Sequence, residues 1–347
     1  MVAKGIKKTL PYTFARVSAM KSKLIDRSNY NKLLKMDLNS ITRYLQETEY
    51  KDSITELSKD FSGIELIDYA LKDNTIKTFN KLKDISPSEV VEVINLYLCR
   101  WDYENLKVVL RGIFSNSNKS EIMDLIIDVG QYDKSHYDNL FDTNSIWDAL
   151  VNSNLVSEKE IEEAYDDFKK TSNLIELENT LDKLSFRKAV EGASICPKRG
   201  EIFKRFLLRD IDIINIRNML RFKKENMEPS KIMEYMIDSG FKIDKITLES
   251  LSKEENVESL LKELNKTYYG RFIKFSEYED LYDIEIALQN MNLKSSILKT
   301  HQNPLTIAAV LNFMLSKMIE IRNLRSIVKS KYLEIDEEYV EKKLLVV

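Results

Sequence analysis

The chain has 347 residues, of which 43% are hydrophobic and 31% are charged, so it holds enough apolar material for two or three packed domains. Its formal net charge of −3 does not point to a polyanionic partner, and we expect no binding to nucleic acid. Two cysteines, Cys99 and Cys196, do not suggest a disulfide framework, and a reducing cytoplasm is the simplest interpretation.

Targeting signals are not expected from the sequence. Residues 1–8 lack the apolar stretch of a signal peptide. Residues 302–316 form the best candidate for a membrane span, but they are fewer than the roughly 20 apolar residues that a spanning helix needs. We therefore expect a buried helix there, and any role at a membrane would depend on a partner protein.

Helical periodicity dominates the chain. Apolar residues recur at one-turn spacing in residues 90–98, 122–129 and 257–264, and alternating strands are not found. The low content of glycine, 8 residues, and proline, 5 residues, favours long helices. Pro87 and Pro197 suit the first turn of a helix, Gly130 and Gly240 suit a C-terminal cap, and residues 114–120 and 225–230 are predicted linkers. The predicted fold class is all-α.

One motif occurs three times, in residues 102–111, 212–221 and 320–329. Its pattern is acid-x-x-Asn-aliphatic-base-x-x-aliphatic-base. The three asparagines, Asn105, Asn215 and Asn323, are separated by 110 and 108 residues. This period exceeds the 20–50 residues of solenoid repeats and is close to the size of a domain.

Three further anchors keep the same order around the motif. Prolines precede the motif acid by 15, 15 and 16 residues, and leucines precede the motif asparagine by 34, 34 and 35 residues, at Pro87, Pro197, Pro304, Leu71, Leu181 and Leu288. Upstream, Leu45-x-x-Thr48-x-Tyr50 is matched by the segments ending at Leu155 and Tyr269. We infer three homologous helical domains, 1–114, 115–224 and 225–347.

Two arrangements of three domains are open at this point: a linear array, or closure around a pseudo-threefold axis. Closure is attractive because it lets every copy bury an equivalent surface, and it would leave a central hollow.

The motif places a polar side chain on an apolar helix face. At 100° per residue, Asn105 shares a face with Leu106 and Val109, whereas Lys107 and Arg111 lie on the opposite face. A buried asparagine requires hydrogen-bond partners, so it either fixes how the helix docks or belongs to a ligand site. The paired bases either form a salt-bridged, solvated face or point at a shared cavity or an acidic partner. The structural or partner-facing candidates are Asn105, Lys107, Arg111, Asn215, Arg217, Arg221, Asn323, Arg325 and Lys329.

Catalytic chemistry is not expected. The dispersed glycines form no phosphate-binding loop, and the two histidines, His136 and His301, have no zinc-like spacing to each other or to cysteine. The sequence therefore predicts no catalytic residue, no cofactor and no metal site.

The motifs in residues 215–221 and 320–325, with the N-terminal run of residues 12–24, resemble the C subunit of archaeal A-type (V/A-type) ATP synthases, which is related to the d subunit of vacuolar ATPases. The resemblance covers essentially the whole chain. The first copy departs from the pattern, because Lys107 stands where the other copies have arginine.

The resemblance implies a non-catalytic component of the rotor. A funnel of three similar helical domains would sit peripherally on the cytoplasmic face of the membrane, on the proteolipid rotor ring. Its hollow would receive the central axle, made of the D and F subunits, and it would transmit torque between ion translocation and ATP synthesis or hydrolysis. The alternative is a soluble helical adaptor unrelated to the ATPase.

Overall fold

The computed structural model describes residues 9–143, 145–195, 200–278, 280–303 and 305–345. Within these ranges the regular structure is entirely helical, which confirms the predicted all-α class. Several residues of the sequence interpretation lie outside the described residues, namely residues 1–8, Cys196, Pro197 and Pro304.

Groups of shorter helices alternate along the chain with pairs of helices longer than 20 residues, α5–α6, α11–α12 and α16–α17. The first half of the chain forms α1 (Leu10–Lys21), α2 (Arg27–Leu33), α3 (Leu38–Leu45), α4 (Lys51–Leu57), α5 (Gly63–Asp84), α6 (Ser88–Phe114), α7 (Lys119–Leu125), α8 (Lys134–Phe141), α9 (Ile146–Asn152) and α10 (Glu158–Thr171). The second half forms α11 (Ile175–Ile195), α12 (Gly200–Lys224), α13 (Pro229–Glu234), α14 (Lys245–Ser252), α15 (Val257–Lys266), α16 (Leu281–Gln302), α17 (Ile307–Tyr332) and α18 (Glu337–Lys343), with 3₁₀ turns at Tyr269–Arg271 and Phe275–Glu277.

Two of the three predicted helical runs are confirmed in full. Residues 90–98 lie in α6 and residues 257–264 lie in α15. The third prediction was too long, because α7 ends at Leu125, and the apolar Ile126 and Val129 are buried in the irregular segment that follows. Both predicted linkers are confirmed, since they separate α6 from α7 and α12 from α13.

The expected buried helix within residues 302–316 is confirmed for its second part, because α17 begins at Ile307 and its first turns are buried. In the described part of the chain, no helix combines the length and the apolar character that a bilayer crossing requires.

Short helices need local help, because isolated helices of fewer than about 12 residues are marginal in water. Five of the described short helices, α2, α3, α8, α14 and α18, begin at an aspartate whose carboxylate accepts the backbone N–H three residues later. These N-caps are Asp26, Asp37, Asp133, Asp244 and Asp336. Such a cap stabilises a helix by about 1 kcal/mol.

The chain divides into two compact units. One is Ser88–Leu207, and the other combines the residues before and after it, Met1–Pro87 and Leu208–Val347. The predicted boundaries 1–114, 115–224 and 225–347, and the predicted funnel, stay predictions.

Three apolar cores of the described residues are assembled from helices in a similar way. In the unit Ser88–Leu207, the second core joins the C-terminal part of α6, the short helices α7–α10 and the start of α11. In the other unit, the third core joins α12, α13–α15 and the start of α16 in the same order. The first core joins α2–α4 and the start of α5, but its remaining helices are α17 and α18 from the C-terminal end of the chain. Residues 250 to 319 positions apart thus complete one core.

Leu324 is a test of that long-range packing, because it belongs to α17 and is fully buried in the first core. We expect Leu324→Ala to lower the free energy of unfolding by about 2–5 kcal/mol through lost burial and a residual cavity. Leu298→Ala is the matched control, since Leu298 is 57% exposed. Urea unfolding measures both, and equal effects of the two variants would contradict this packing.

Candidate functional site

The three copies of the motif lie on α6, α12 and α17, which we call the motif helices. Each presents its acid and its asparagine, three residues apart and so about one turn, to the same side of the helix. All six side chains are buried, with 0–2% exposure, at Asp102, Asn105, Asp212, Asn215, Glu320 and Asn323. Buried groups of this kind require partners, and the partners are the same in kind in each copy.

Each motif asparagine clamps the backbone of the residue 22 positions later. Nδ2 of Asn105 donates to the carbonyl of Ile127 at 2.9 Å, and its Oδ1 accepts the N–H of the same residue at 3.0 Å. Asn215 makes both bonds to Ile237, each at 2.9 Å. Asn323 makes them to Leu345 at 2.6 and 3.0 Å. Both polar groups of the amide are used, so each segment is held in one register.

The acids of the first two copies hold the next turn of that segment. Asp102 accepts the backbone N–H of Gln131 at 2.9 Å and that of Tyr132 at 3.3 Å. Asp212 accepts the backbone N–H of Phe241 at 3.1 Å and that of Lys242 at 2.8 Å. In both copies the N-cap aspartate of the next short helix follows within two residues. We call each acid with its asparagine and the bound backbone a staple.

The third staple uses two separate pieces of chain. Asn323 holds Leu345, whereas Glu320 accepts the backbone N–H of Ile25 at 2.6 Å. Ile25 immediately precedes the N-cap Asp26, as Tyr132 precedes Asp133 in the first copy. The N-terminal segment thus takes the position that the downstream loop takes in the other copies.

A tyrosine hydroxyl completes the shell of each acid. Tyr50 donates to Glu320 at 2.6 Å and Tyr269 donates to Asp212 at 2.6 Å, in agreement with their equivalent places in the repeat. The matching residue of the middle segment is Leu155, which has no hydroxyl. Tyr137 on α8 donates to Asp102 instead, at 2.7 Å. The hydroxyl is therefore retained although its position in the sequence is not.

Gly130 and Gly240 do not cap helices, contrary to the sequence prediction, because α7 and α13 end five and six residues before them. Their role is close approach. A Cβ at Gly130 would lie 2.2 Å from a carboxylate oxygen of Asp102, and one at Gly240 would lie 2.2 Å from that of Asp212. Any side chain would push the acid away from the backbone that it binds.

The bases of the first motif are engaged within the unit Ser88–Leu207. Lys107 is 5% exposed rather than solvated, and its Nζ lies 2.6 Å from Asp182 and 2.9 Å from Glu104. Burial lowers the pKa of Lys107, but Asp182 and Glu104 together outweigh burial and raise that pKa above its ordinary value. Arg111 forms a two-bond pair with Glu178, each bond 2.6 Å long.

The bases of the second motif converge on one carboxylate. Glu285 on α16 is 7% exposed, and it lies 2.9 Å from Arg221 and 3.9 Å from Arg217. Arg322 of the third motif helix lies 4.0 Å from the same carboxylate and donates to the hydroxyl of Tyr282 at 3.0 Å. A single buried acid therefore connects α12, α16 and α17.

The bases of the third motif differ from each other. Arg325 lies 3.6 Å from Asp68 on α5. Lys329 is exposed, and no carboxylate of the described residues lies within 4.0 Å of it.

Sequence reasoning missed the acids that receive the motif bases. Asp68, Glu178 and Glu285 occupy the same second position in three aligned segments, Ile67-Asp68, Leu177-Glu178 and Ile284-Glu285, so the signal was present. It also missed Lys317, which is 2% exposed and lies 2.7 Å from Glu320. Burial lowers the pKa of Lys317, and the adjacent Glu320 opposes that effect.

The chemistry of these groups is that of a structural device. Two tyrosine hydroxyls are held as donors, because burial and the neighbouring carboxylate raise the pKa values of Tyr137 and Tyr269 far above their ordinary value. The carboxylates accept from backbone N–H groups at fixed positions, and the motif cations in contact with acids are neutralised in place. Such an arrangement binds chain segments together and leaves no activated nucleophile in the staples.

Removing one asparagine tests the staple. Asn215→Ala leaves the N–H and carbonyl of Ile237 without their partner, and we expect a loss of about 2–4 kcal/mol in unfolding free energy. Asn218→Ala on the same helix is the control, because Asn218 is only half-buried and makes a single long contact, 3.4 Å, to Arg217. Chemical denaturation of the full chain measures the difference. Similar losses in the two variants would show that the clamp contributes little.

Asp212 gives the fold a specific pH dependence. Burial raises the pKa of its carboxyl to about 6 from 3.8, and hydrogen bonds from Tyr269 and the backbone of residues 241–243 oppose that rise. Between pH 3.8 and about pH 6, the carboxyl of Asp212 binds its proton more tightly in the folded chain than in the unfolded chain. Stability therefore falls as pH rises through this window, by about 3 kcal/mol in total, and is unchanged by this group above it.

The measurement compares wild type with Asp212→Asn in urea from pH 4 to pH 7. The difference in unfolding free energy between the two proteins isolates the titration of Asp212, since other groups cancel. We expect that difference to shift by about 2 kcal/mol against wild type between pH 4 and pH 6.5, because part of the titration of the unfolded chain lies below pH 4. Parallel curves for the two proteins would mean that the carboxyl titrates at its ordinary pKa.

Comparison with known proteins identifies the family. A model of the ATP synthase (C/AC39) subunit family matches residues 13–343. The C subunit of the A-type ATP synthase of Methanococcoides burtonii is 31% identical, with 99% of this chain and 96% of that protein aligned. The proteins of the same name from Methanosarcina barkeri and Archaeoglobus fulgidus are 31% and 28% identical, with 97% and 100% of this chain and 93% and 99% of theirs aligned. The predicted resemblance is confirmed: this chain belongs to the ATP synthase (C/AC39) subunit family and is a non-catalytic part of a rotary ATP synthase.

Proposed function

We propose that this chain is the rotor component that couples the central axle, made of the D and F subunits, to the proteolipid ring at the cytoplasmic face of the membrane. In this role it turns with the rotor and transmits torque between ion translocation and ATP synthesis or hydrolysis. Similarity along almost the whole length to proteins named as the C subunit of A-type ATP synthases supports this assignment over an unrelated adaptor.

The observation that carries the proposal is how the third motif helix is completed. Glu320 binds Ile25 and Tyr50, and Arg325 faces Asp68, so the last motif helix uses the N-terminal segment as the earlier motif helices use the chain that follows them. A series of three modules whose last member joins the first is what closure around a common axis requires. We propose on this basis three homologous modules, with boundaries near 114 and 224, around a hollow that receives the axle.

A torque-transmitting part must also resist deformation. The staples bind each motif helix to its module through paired hydrogen bonds, and buried ions such as Glu285 connect neighbouring long helices. Buried polar networks with full sets of partners favour a single rigid arrangement. We propose that the motif asparagines and the paired bases serve this internal stiffness, whereas Lys329, exposed at the end of α17, is the motif base available to a partner.

The test uses the native synthase in membranes of the host. Removing this chain should leave ATP hydrolysis by the catalytic head intact while ATP-driven ion pumping into vesicles is lost, and adding the purified chain should restore pumping. The tagged chain should copurify in detergent with the proteolipid ring and the D and F subunits. Its recovery only as a free monomer, from cells with an intact synthase, would overturn the proposal.

A further inference from the structure

A cluster of aromatic rings and cations lies beside the staple of Asp212. The rings of Phe241 and Tyr268 are 5.9 Å apart, and those of Tyr268 and Phe272 are 5.3 Å apart. The guanidinium of Arg209 and the ammonium of Lys242 each lie 5.1 Å from the centre of the Phe241 ring. We call these five residues the aromatic–cation patch.

The two cations of the patch carry charge that no acid of the described chain neutralises. Arg209 donates to the hydroxyl of Ser295 at 2.5 Å, and neither it nor Lys242 has a described carboxylate within 4.0 Å. Cation–π contacts at such sites are weak and leave the charge in place. The ring of Phe272 is 59% exposed, so the patch offers positive charge and apolar surface together.

The turn that presents Tyr268 and Phe272 is rigid. A Cβ at Gly270 would lie 1.9 Å from the carbonyl oxygen of Asn265, so the chain passes tightly over the end of α15. The side chain of Asn265 then accepts the N–H of Phe275 at 2.8 Å and donates to the hydroxyl of Ser276 at 2.9 Å. A rigid presentation of aromatic rings lowers the entropy that binding must overcome.

The first staple shows which residues of the patch the staple fold itself requires. There the residue three before the acid is Cys99 rather than Arg209, and the backbone is offered by Gln131 and Tyr132 rather than Phe241 and Lys242. The first copy thus builds the same backbone geometry without a cation at either position. The third copy does have a cation three residues before its acid, Lys317, but Lys317 contacts Glu320 at 2.7 Å. Neither Arg209 nor Lys242 has such a contact with Asp212, so the second staple does not depend on their charge.

We propose that the aromatic–cation patch docks an acidic segment of another protein of the complex, with its carboxylates against Arg209 and Lys242 and its apolar side chains against Phe272. This inference rests on the proposed function, since it assumes assembly with the other subunits of the synthase. Arginine and aromatic residues are the types most enriched among side chains that dominate protein interfaces. Two cations are fewer than the four to eight that characterise binding to anionic lipid, so the chemistry favours a protein segment.

The experiment returns the purified full chain to synthase from which it has been removed and measures its affinity. Arg209→Gln combined with Lys242→Gln, and separately Phe272→Ser, should weaken binding tenfold or more, and the first variant should also flatten the dependence on salt concentration. Lys59→Gln combined with Lys81→Gln is the matched control, because it removes the same charge from exposed positions outside the patch. Lys242→Gln alone is a second variant that changes only an exposed side chain, so it tests the role of charge even if the loss of Arg209 disturbs folding.

A photoreactive phenylalanine analogue at position 272 identifies the contact. Cross-links that map to a segment of another protein of the synthase, with several Asp or Glu residues close together in sequence, support the proposal. Unchanged affinity of both patch variants overturns it, as do cross-links to lipid or cosedimentation of wild type with vesicles of 30% anionic lipid that the double variant loses. If wild type itself does not rejoin the synthase, the proposed function fails instead.

Discussion

A buried carboxylate and a buried amide, one turn apart on a long helix, set the constraint on which the rest of this structure depends. Neither group can be left without partners in an apolar core, because an unsatisfied buried polar group costs about 1–3 kcal/mol. Backbone N–H and carbonyl groups of a segment 22 to 30 residues downstream meet that need at Asp102 and Asn105, and again at Asp212 and Asn215. The irregular segment is therefore held against the helix in one register, and the short helices that follow begin at fixed places.

The motif bases extend this order from one helix to the next. Arg111 reaches Glu178, Arg221 reaches Glu285 and Arg325 approaches Asp68, so each motif helix pairs with the long helix that completes the same core. The exposed pair Arg111–Glu178 adds little free energy by itself, since surface ion pairs contribute about 0–1 kcal/mol. The buried Glu285 is different, because removing Arg221 would weaken the pairing of a buried charge, which is costly. The three ion pairs thus occupy equivalent positions in the repeat but contribute different amounts to the free energy of folding.

Local patterns predicted much of this fold. Helical periodicity located α6 and α15, and the acid-x-x-Asn repeat identified the buried face of the motif helices from sequence alone. The predictions that were wrong or missing concern contacts between residues far apart in sequence. Gly130 looks like a helix cap when only its neighbours in sequence are considered, and its contact with Asp102 comes from a residue 28 positions earlier. Likewise, nothing in the sequence around Leu155 indicates that Tyr137 supplies the missing hydroxyl.

The completion of the first core by α17 and α18 has a consequence for how the protein is made. Residues 25–71 leave the ribosome about 250 residues before the helix that covers them. At 5–20 residues per second, that interval lasts roughly 10–50 s, during which α2–α5 have one another but lack the apolar surface of α17 and α18. The nascent N-terminal segment thus exposes part of its core to the solvent for most of translation.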